Sequence, residues 1–285
     1  MATTRDIRRR IRTVRNIQQI TKALKMIAAA RLQKAQSRAE AARPYAEAMF
    51  SVMGRLSHVG GEIEHPLLER REPVNIGVVL VTSDRGMAGS YNTNVIRRTL
   101  SLIEPHERDK VKLVTVGRKG RLFFTKRQYD IAAHFPMPSS EVSFAEAQQA
   151  GQTVRSLFEN REVDVVHIVY TRFYSAIRQR VTEMQLLPFE YAGEEEAERP
   201  QDYIFEPEPA VLLDRLLPRY VDTQVYRALL ESLASEHGAR MTAMSSATSN
   251  AEDMIGQLTL QFNRARQAAI TEELAEIVGG AEALK

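Results

Sequence analysis

Residues 82–94, TSDRGMAGSYNTN, are the stretch most suggestive of chemistry: they follow an apolar β-rich run, IGVVLV, and precede a helical pattern. In an open α/β sheet, ligands settle where strands end and helices begin. Gly86 and Gly89 complete neither GxGxxG nor GxxxxGK[ST], so neither common phosphate cradle is present. The plainer reading is a turn in which Asp84, Ser90 or Asn92 caps backbone amides and the glycines supply positive φ. Binding of a phosphorylated ligand by an enzyme is the alternative. The histidines, His58, His65, His106, His134, His167 and His237, show neither the i, i+4 nor the HxH spacing that would hold a metal. His167 lies in VDVVHIVY and reads as a satisfied core histidine. There is no GxSxG, and Asp84 and Asp164 have no sequence partner for acid–base work. With no cysteine, thiolate nucleophiles, thiolate metal sites and disulfides are excluded. No catalytic residue, metal or cofactor is therefore expected.

Charge gives a stronger signal. Residues 1–43 carry 12 Lys/Arg against Asp6 and Glu40, a net of +10, whereas the rest carries 27 basic against 34 acidic residues. Arg8, Arg12, Arg15, Lys22, Lys25 and Arg31 lack the acids that normally pair at i, i+4. A face so unbalanced either is solvated or meets an acidic partner. Nucleic acid is one such partner, but no aromatic residue precedes Tyr45 for base stacking, and no nucleic-acid-binding motif accompanies the basic run.

The elements that would position these groups follow from proline and glycine. None of the prolines precedes Pro44 or follows Pro218, and no glycine precedes Gly54. From about residue 4 to 56 the chain is rich in Ala, Arg, Lys, Gln and Leu, which lose little freedom in a helix, so one very long helix is expected, kinked or broken at Pro44. Some 50 residues of helix would measure about 75 Å and project from any globule. Its stripe Ile7, Ile11, Val14, Ile17, Ile20, Leu24, Ile27 slips from a strict heptad and predicts local overwinding. Towards the other end, Met241, Met244, Thr248, Ala251, Ile255, Leu258, Phe262, Ala265 and Ala269 alternate 3, 4 spacing, the mark of a coiled-coil seam. An antiparallel pair is the economical arrangement, with Ala28, Ala29, Ala30, Ala247, Ala251 and Ala265 letting the axes approach. Between them, runs at 76–81, 111–116, 163–170 and 181–189 read as strands, the last an edge because of Pro188. Helical patterns fall at 94–103, 118–129 and 143–160. The fold class is thus α/β: a long antiparallel coiled coil of the N- and C-terminal helices plus a Rossmann-like α/β domain with a mainly parallel sheet. The expected divisions are 1–56, 74–190, an acidic connector 191–209, and 210–285. No apolar run approaches the roughly 18 residues that span a bilayer, and the start, MATTRDIRRRIR, lacks a signal-peptide core. A soluble chain is expected.

Three stretches match a family: RRRIRTVRNIQQITKALKMIAAARLQKAQ (8–36), TSDRGMAGSYNTNV (82–95) and SEHGARMTAMSSATSNAEDMIGQLTLQFNRARQAAITEELAEIVGGA (235–281). With YIFEPEP at 203–209, they resemble the gamma subunit of F-type ATP synthase over essentially the whole length. The resemblance implies a non-catalytic rotor subunit, one copy per three alpha and three beta subunits, coupling proton flow through the membrane c-ring to ATP synthesis and hydrolysis. It implies beta-subunit contacts at Arg266, Gln267 and Thr271, with Arg240 in the same network. Arg8, Arg9, Lys22 and Lys25 would form the cationic surface facing acidic beta-subunit levers. Leu24 stands where some members carry methionine. Tyr203 and Glu206 would contact the c-ring and the epsilon subunit. Partners are then alpha, beta, epsilon and the c-ring, with no nucleic acid, no cofactor and no membrane insertion. The implied location is peripheral, on the cytoplasmic face of the bacterial plasma membrane. Ala88 replaces a cysteine that many relatives carry, and the cysteine-bearing insertion of the chloroplast members is missing, so thiol regulation is not expected.

Overall fold

The computed structural model describes residues 3–59, 65–190 and 207–282. Ten regular elements follow one another: α1 (Thr4–Val59), β1 (Ile76–Val81), α2 (Tyr91–Ile103), β2 (Val111–Val116), α3 (Arg118–Thr125), β3 (Asp130–Phe135), α4 (Phe144–Glu159), β4 (Val165–Phe173), β5 (Gln179–Leu187) and α5 (Pro209–Glu282). Contacts between Cα atoms divide them into two units, Met1–Ala28 with Met241–Lys285, and Ala29–Arg240.

In the larger unit, valine and isoleucine build a sheet of order β3-β2-β1-β4-β5. β1 pairs parallel with β2 and β4, β2 parallel with β3, and β4 antiparallel with β5. Right-handed crossovers place α2 and α3 on one face and α4 on the other. Ile76, Val78 and Leu80 accordingly pack with Val95, Ile103 and Phe124 of α2 and α3 in one buried cluster. β5 is an edge strand, as expected. β3 was not foreseen: DIAAHF is short, alanine-containing and largely half-exposed, because an edge strand has one neighbour and need not be strongly apolar. The helix expected over 118–129 ends at Thr125, since the chain must turn into that strand.

Within this unit α5 is buried at 220–225 and again at 228–238, as expected of a helix enclosed on all sides. Several of its polar residues find partners there. β4 continues past the end of β1, so Thr171, paired with Val181 of β5 on one side, has no strand on the other. Ser232 Oγ accepts the Thr171 amide at 3.4 Å and Ser235 Oγ donates to the Thr171 carbonyl at 3.1 Å. Asp222 pairs with Arg155 of α4 at 3.2 Å, across a contact where a Cβ on Gly151 would lie 2.2 Å from Asp222 Oδ1. Phe144 and Tyr226, and Phe189 and Tyr220, meet edge to face.

Pro44 does not end α1, nor Pro218 α5; both helices run through. Pro44 is exposed, so the carbonyl whose helical donor it removes can bond to water.

In the smaller unit the two helices are antiparallel. Thr21 and Thr248 share a hydrogen bond of 2.8 Å, and the Arg8 guanidinium lies 5.2 Å from the Phe262 ring, so α1 runs back as α5 runs forward. The seam foreseen on α5 is the one found, each of its members being buried or half-buried. The seam foreseen on α1 holds only for Ile7, Ile11, Val14 and Leu24. Beyond Val14 the covered positions include Gln18, Thr21 and Ala28, while Ile17, Ile20 and Ile27 are 48%, 59% and 50% exposed. Ala29 and Ala30 also face solvent. Heptad position prevails over apolarity here, because Thr21 finds a partner in Thr248 and can be enclosed without loss.

Candidate functional site

The loop after β1 is held by later segments of the larger unit. Gly117, with φ 91°, passes so close to Thr82 that a Cβ there would lie 2.1 Å from the Thr82 carbonyl oxygen. That approach lets three groups cap α3: Thr82 Oγ1 accepts the Gly120 amide at 2.9 Å, the Ser83 carbonyl the Lys119 amide at 3.1 Å, and Asp84 Oδ1 the Arg118 amide at 2.8 Å. Asp84 Oδ1 also accepts the Met137 amide at 3.3 Å. Asn92 reaches back, its Oδ1 accepting the Ser83 amide at 2.9 Å and its Nδ2 donating to Ser83 Oγ at 2.8 Å. Of the three expected caps, then, Asp84 and Asn92 act on other elements than α2, and Ser90 makes no side-chain cap. Positive φ occurs at Gly89 (55°), as expected, but its companion is Met87 (62°) and not Gly86. Met87 is 60% exposed, whereas Ala88 is buried. The first-turn amides of α3 are thus engaged by the loop, while α2, the helix that follows it, has no side-chain cap at Ser90; the geometry seen is that of a capping turn.

Arg240 closes this loop from α5. Its side chain is 11% exposed. Nη2 donates to Glu236 Oε1 at 2.5 Å and to the Gly86 carbonyl at 3.3 Å, while Nη1 lies 3.3 Å from His237 Nδ1. An arginine has only protons to give, so His237 Nδ1 must be the acceptor and its proton sits on Nε2. Burial, then the charges of Arg240 and Arg31, push the His237 pKa down to about 4. Burial raises the pKa of Glu236, against the pull of Arg240. Arg31 of α1 donates to the Ser139 carbonyl at 3.2 Å. The sequence marked Arg240 and the loop separately; nothing in it joins them, and Glu236, His237 and Met87 were not singled out as members of one network.

His167 is half-buried on β4, with Nδ1 3.6 Å from Glu183 Oε1 of β5 and no hydrogen bond to it. It is therefore not the satisfied core histidine expected. Burial lowers its pKa, against the pull of Glu183. Among the described residues no three His, Asp or Glu gather as metal ligands.

In the smaller unit Arg8 and Arg9 are exposed, the first stacked on Phe262 and the second 3.9 Å from Asp6. Lys22 and Lys25 are exposed and form no ion pair among the described residues, and Leu24 is half-buried. Arg266, Gln267 and Thr271 are exposed, off the seam marked by Phe262, Ala265 and Ala269. Thr271 Oγ1 donates to the Gln267 carbonyl at 2.9 Å. Every residue described from Ile270 to Val278 is exposed, including Leu274 at 58% and Ile277 at 68%. Extending the register of Arg8 and Phe262 shows why: α1 begins at Thr4, so α5 outruns it. Tyr203 and Glu206 lie outside the described residues. Among the described residues no helix is long and apolar enough to cross a membrane.

The family model described as ATP synthase matches residues 3–284. Among relatives, the ATP synthase gamma chain of Heliobacterium modesticaldum is 50% identical over 98% of each chain. That of Desulfitobacterium hafniense is 51% identical over the full length of both. Among solved structures, a chain of the Tetrahymena thermophila mitochondrial ATP synthase central stalk and c-ring matches with TM-score 0.62 and 27% identity, over 80% of this chain and 99% of that one. A chain of the Euglena gracilis mitochondrial ATP synthase shares the fold at TM-score 0.71 and 21% identity, over 99% and 94%.

Proposed function

The chain belongs to the ATP synthase gamma-chain family, and from that premise we propose that it is the non-catalytic shaft of the complex, turning within a ring of three alpha and three beta subunits. The observation that carries the proposal is the antiparallel helix pair whose longer member continues beyond its partner with an apolar and polar surface uncovered, Ile270, Thr271, Leu274 and Ile277 among it. A shaft changes the affinity of a catalytic site only by touching its open and closed states unequally, and a pair of unequal helices presents a different face in each direction. Arg266, Gln267 and Thr271 are the proposed contacts to the beta subunits near that end. Arg8, Arg9, Lys22 and Lys25, with Leu24 between the lysines, form the proposed cationic surface for acidic beta-subunit levers. Arg240 belongs to the same coupling network.

The proposed working parts are the helices 1–56 and 210–285, the α/β domain 74–190 and the connector 191–209. The domain and connector would form a foot on the membrane c-ring beside the epsilon subunit, with Tyr203 and Glu206 as contacts, at the cytoplasmic face of the bacterial plasma membrane. Nucleotide chemistry then belongs to the ring.

Co-expression of the tagged chain with cognate alpha and beta subunits, followed by native mass spectrometry and an ATPase assay, tests the proposal. A 3:3:1 complex whose activity requires the chain is expected; a folded chain that never joins folded partners would refute it. In the complete enzyme, Arg266→Ala with Gln267→Ala should reduce protons pumped per ATP without lowering the melting temperature of the isolated chain. Unchanged pumping and turnover would remove those two residues from the contact set.

A further inference from the structure

We infer that Arg240 is a positioning residue, latching the loop at 82–94 to α5 so that the exposed Arg85–Met87 tip is held in one pose. This rests on the rotor proposal, and assigns Arg240 an action through the loop in place of direct reach to a neighbouring subunit. The guanidinium has three hydrogen-bond partners, Glu236 and Gly86 at Nη2 and His237 at Nη1, with its side chain 11% exposed. A group so enclosed has little surface left to offer a partner. Glu236, 6% exposed, depends on it in return, since a buried carboxylate without a counter-charge is strongly unfavourable.

The loop gives the latch something to hold. Met87 is a non-glycine residue at φ 62°, a conformation that persists only where the surroundings fix it. It is fixed on both sides. Before it, the Gly86 carbonyl is taken by Arg240; after it, the Ala88 carbonyl accepts the Tyr91 amide at 3.2 Å. Ser83 and Asp84 anchor the base of the loop to Asn92, Arg118 and Met137. The product is an exposed arginine and an exposed methionine on a braced tip, with one of the braces carried by α5. A displacement of α5 at 236–240 is thereby passed to the tip.

Hydrogen exchange on the isolated full chain tests the latch, and coupling in the assembled enzyme tests its use. In Arg240→Lys, which keeps the charge but has one nitrogen where the guanidinium sets Nη2 on Glu236 and Gly86 and Nη1 on His237, the amides of residues 85–89 should exchange about tenfold faster, and protons pumped per ATP should fall. Glu236→Gln, buried and unable to touch another subunit, should move both readouts in the same direction. Unchanged exchange in both variants would overturn the inference. So would a coupling loss in Arg240→Lys with Glu236→Gln silent, which is what direct contact requires, or faster exchange with coupling intact. Failure of the unmodified chain to assemble would count against the rotor proposal instead, and the exchange measurement would still decide the latch.

Discussion

Asp84 shows how one side chain can order three segments. Its Oδ1 receives the Arg118 and Met137 amides, so Asp84→Ala should leave two donors unpaired and destabilise the α/β domain by about 1–3 kcal/mol. Asp84→Asn keeps an acceptor and should lose less; equal losses in urea unfolding would argue against this role. The residue types of the loop were legible as capping residues, but not their partners. Arg118 lies 34 residues from Asp84 and Gly86 lies 154 from Arg240, distances at which no local pattern reports.

His237 makes a pH prediction whose sign is fixed by burial. Its folded pKa of about 4 lies below the ordinary 6.5, so between these values the unfolded chain binds the proton and the folded one does not. The contribution is therefore complete above pH 6.5 and is lost as pH falls towards 4, amounting to about 3 kcal/mol at most. Glu236, Arg240, Arg31 and Asp84 share its surroundings, and Glu236, its pKa raised, works in the opposite direction. The test is therefore a difference: from pH 6.5 to 4 stability should fall less steeply in His237→Gln than in the unmodified chain. Parallel curves would contradict it.

At the scale of elements, α1 offers an apolar stripe and a partly polar one side by side, and apolarity alone selects the wrong one. The stripe through Ile17, Ile20 and Ile27 looked better because it is apolar; the covered one runs through Gln18, Thr21 and Ala28. On α5 a single 3, 4 pattern left no choice, and the seam was read correctly. The consequence is measurable by thermal melting followed by helical circular dichroism. Ile11→Ala, in the seam, should cost about 2–4 kcal/mol, whereas Ile20→Gln should stay within about 0.5 kcal/mol. The reverse order would restore the apolar stripe as the seam. Strands β1, β2 and β4 were legible because buried strands are β-branched and continuous, whereas the edge strand β5 rests on the less regular VTEMQLLPF. β3 escaped because an edge strand can be built from Asp, Ala and His.

For the whole molecule, the most telling sequence feature is the separation of charge: +10 in residues 1–43 against a net acidic remainder. Lys22 and Lys25, exposed and without an ion pair among the described residues, keep that charge available. A cationic shaft surface meeting acidic levers should associate faster at low ionic strength. Neutralising Lys22 and Lys25 to Gln should flatten the salt dependence of assembly with alpha and beta subunits, as followed by light scattering. An unchanged salt profile would place the attraction elsewhere.

The central claim is that this chain turns, and the most direct measurement is to watch it. The sequence has no cysteine, so Glu107→Cys on the exposed surface gives one attachment point for a bead, with the alpha–beta ring fixed to glass. Unidirectional rotation on adding ATP, stopping when ATP is removed, is the result this account predicts. Steady ATP hydrolysis by the same complexes beneath a stationary, firmly attached bead would contradict it.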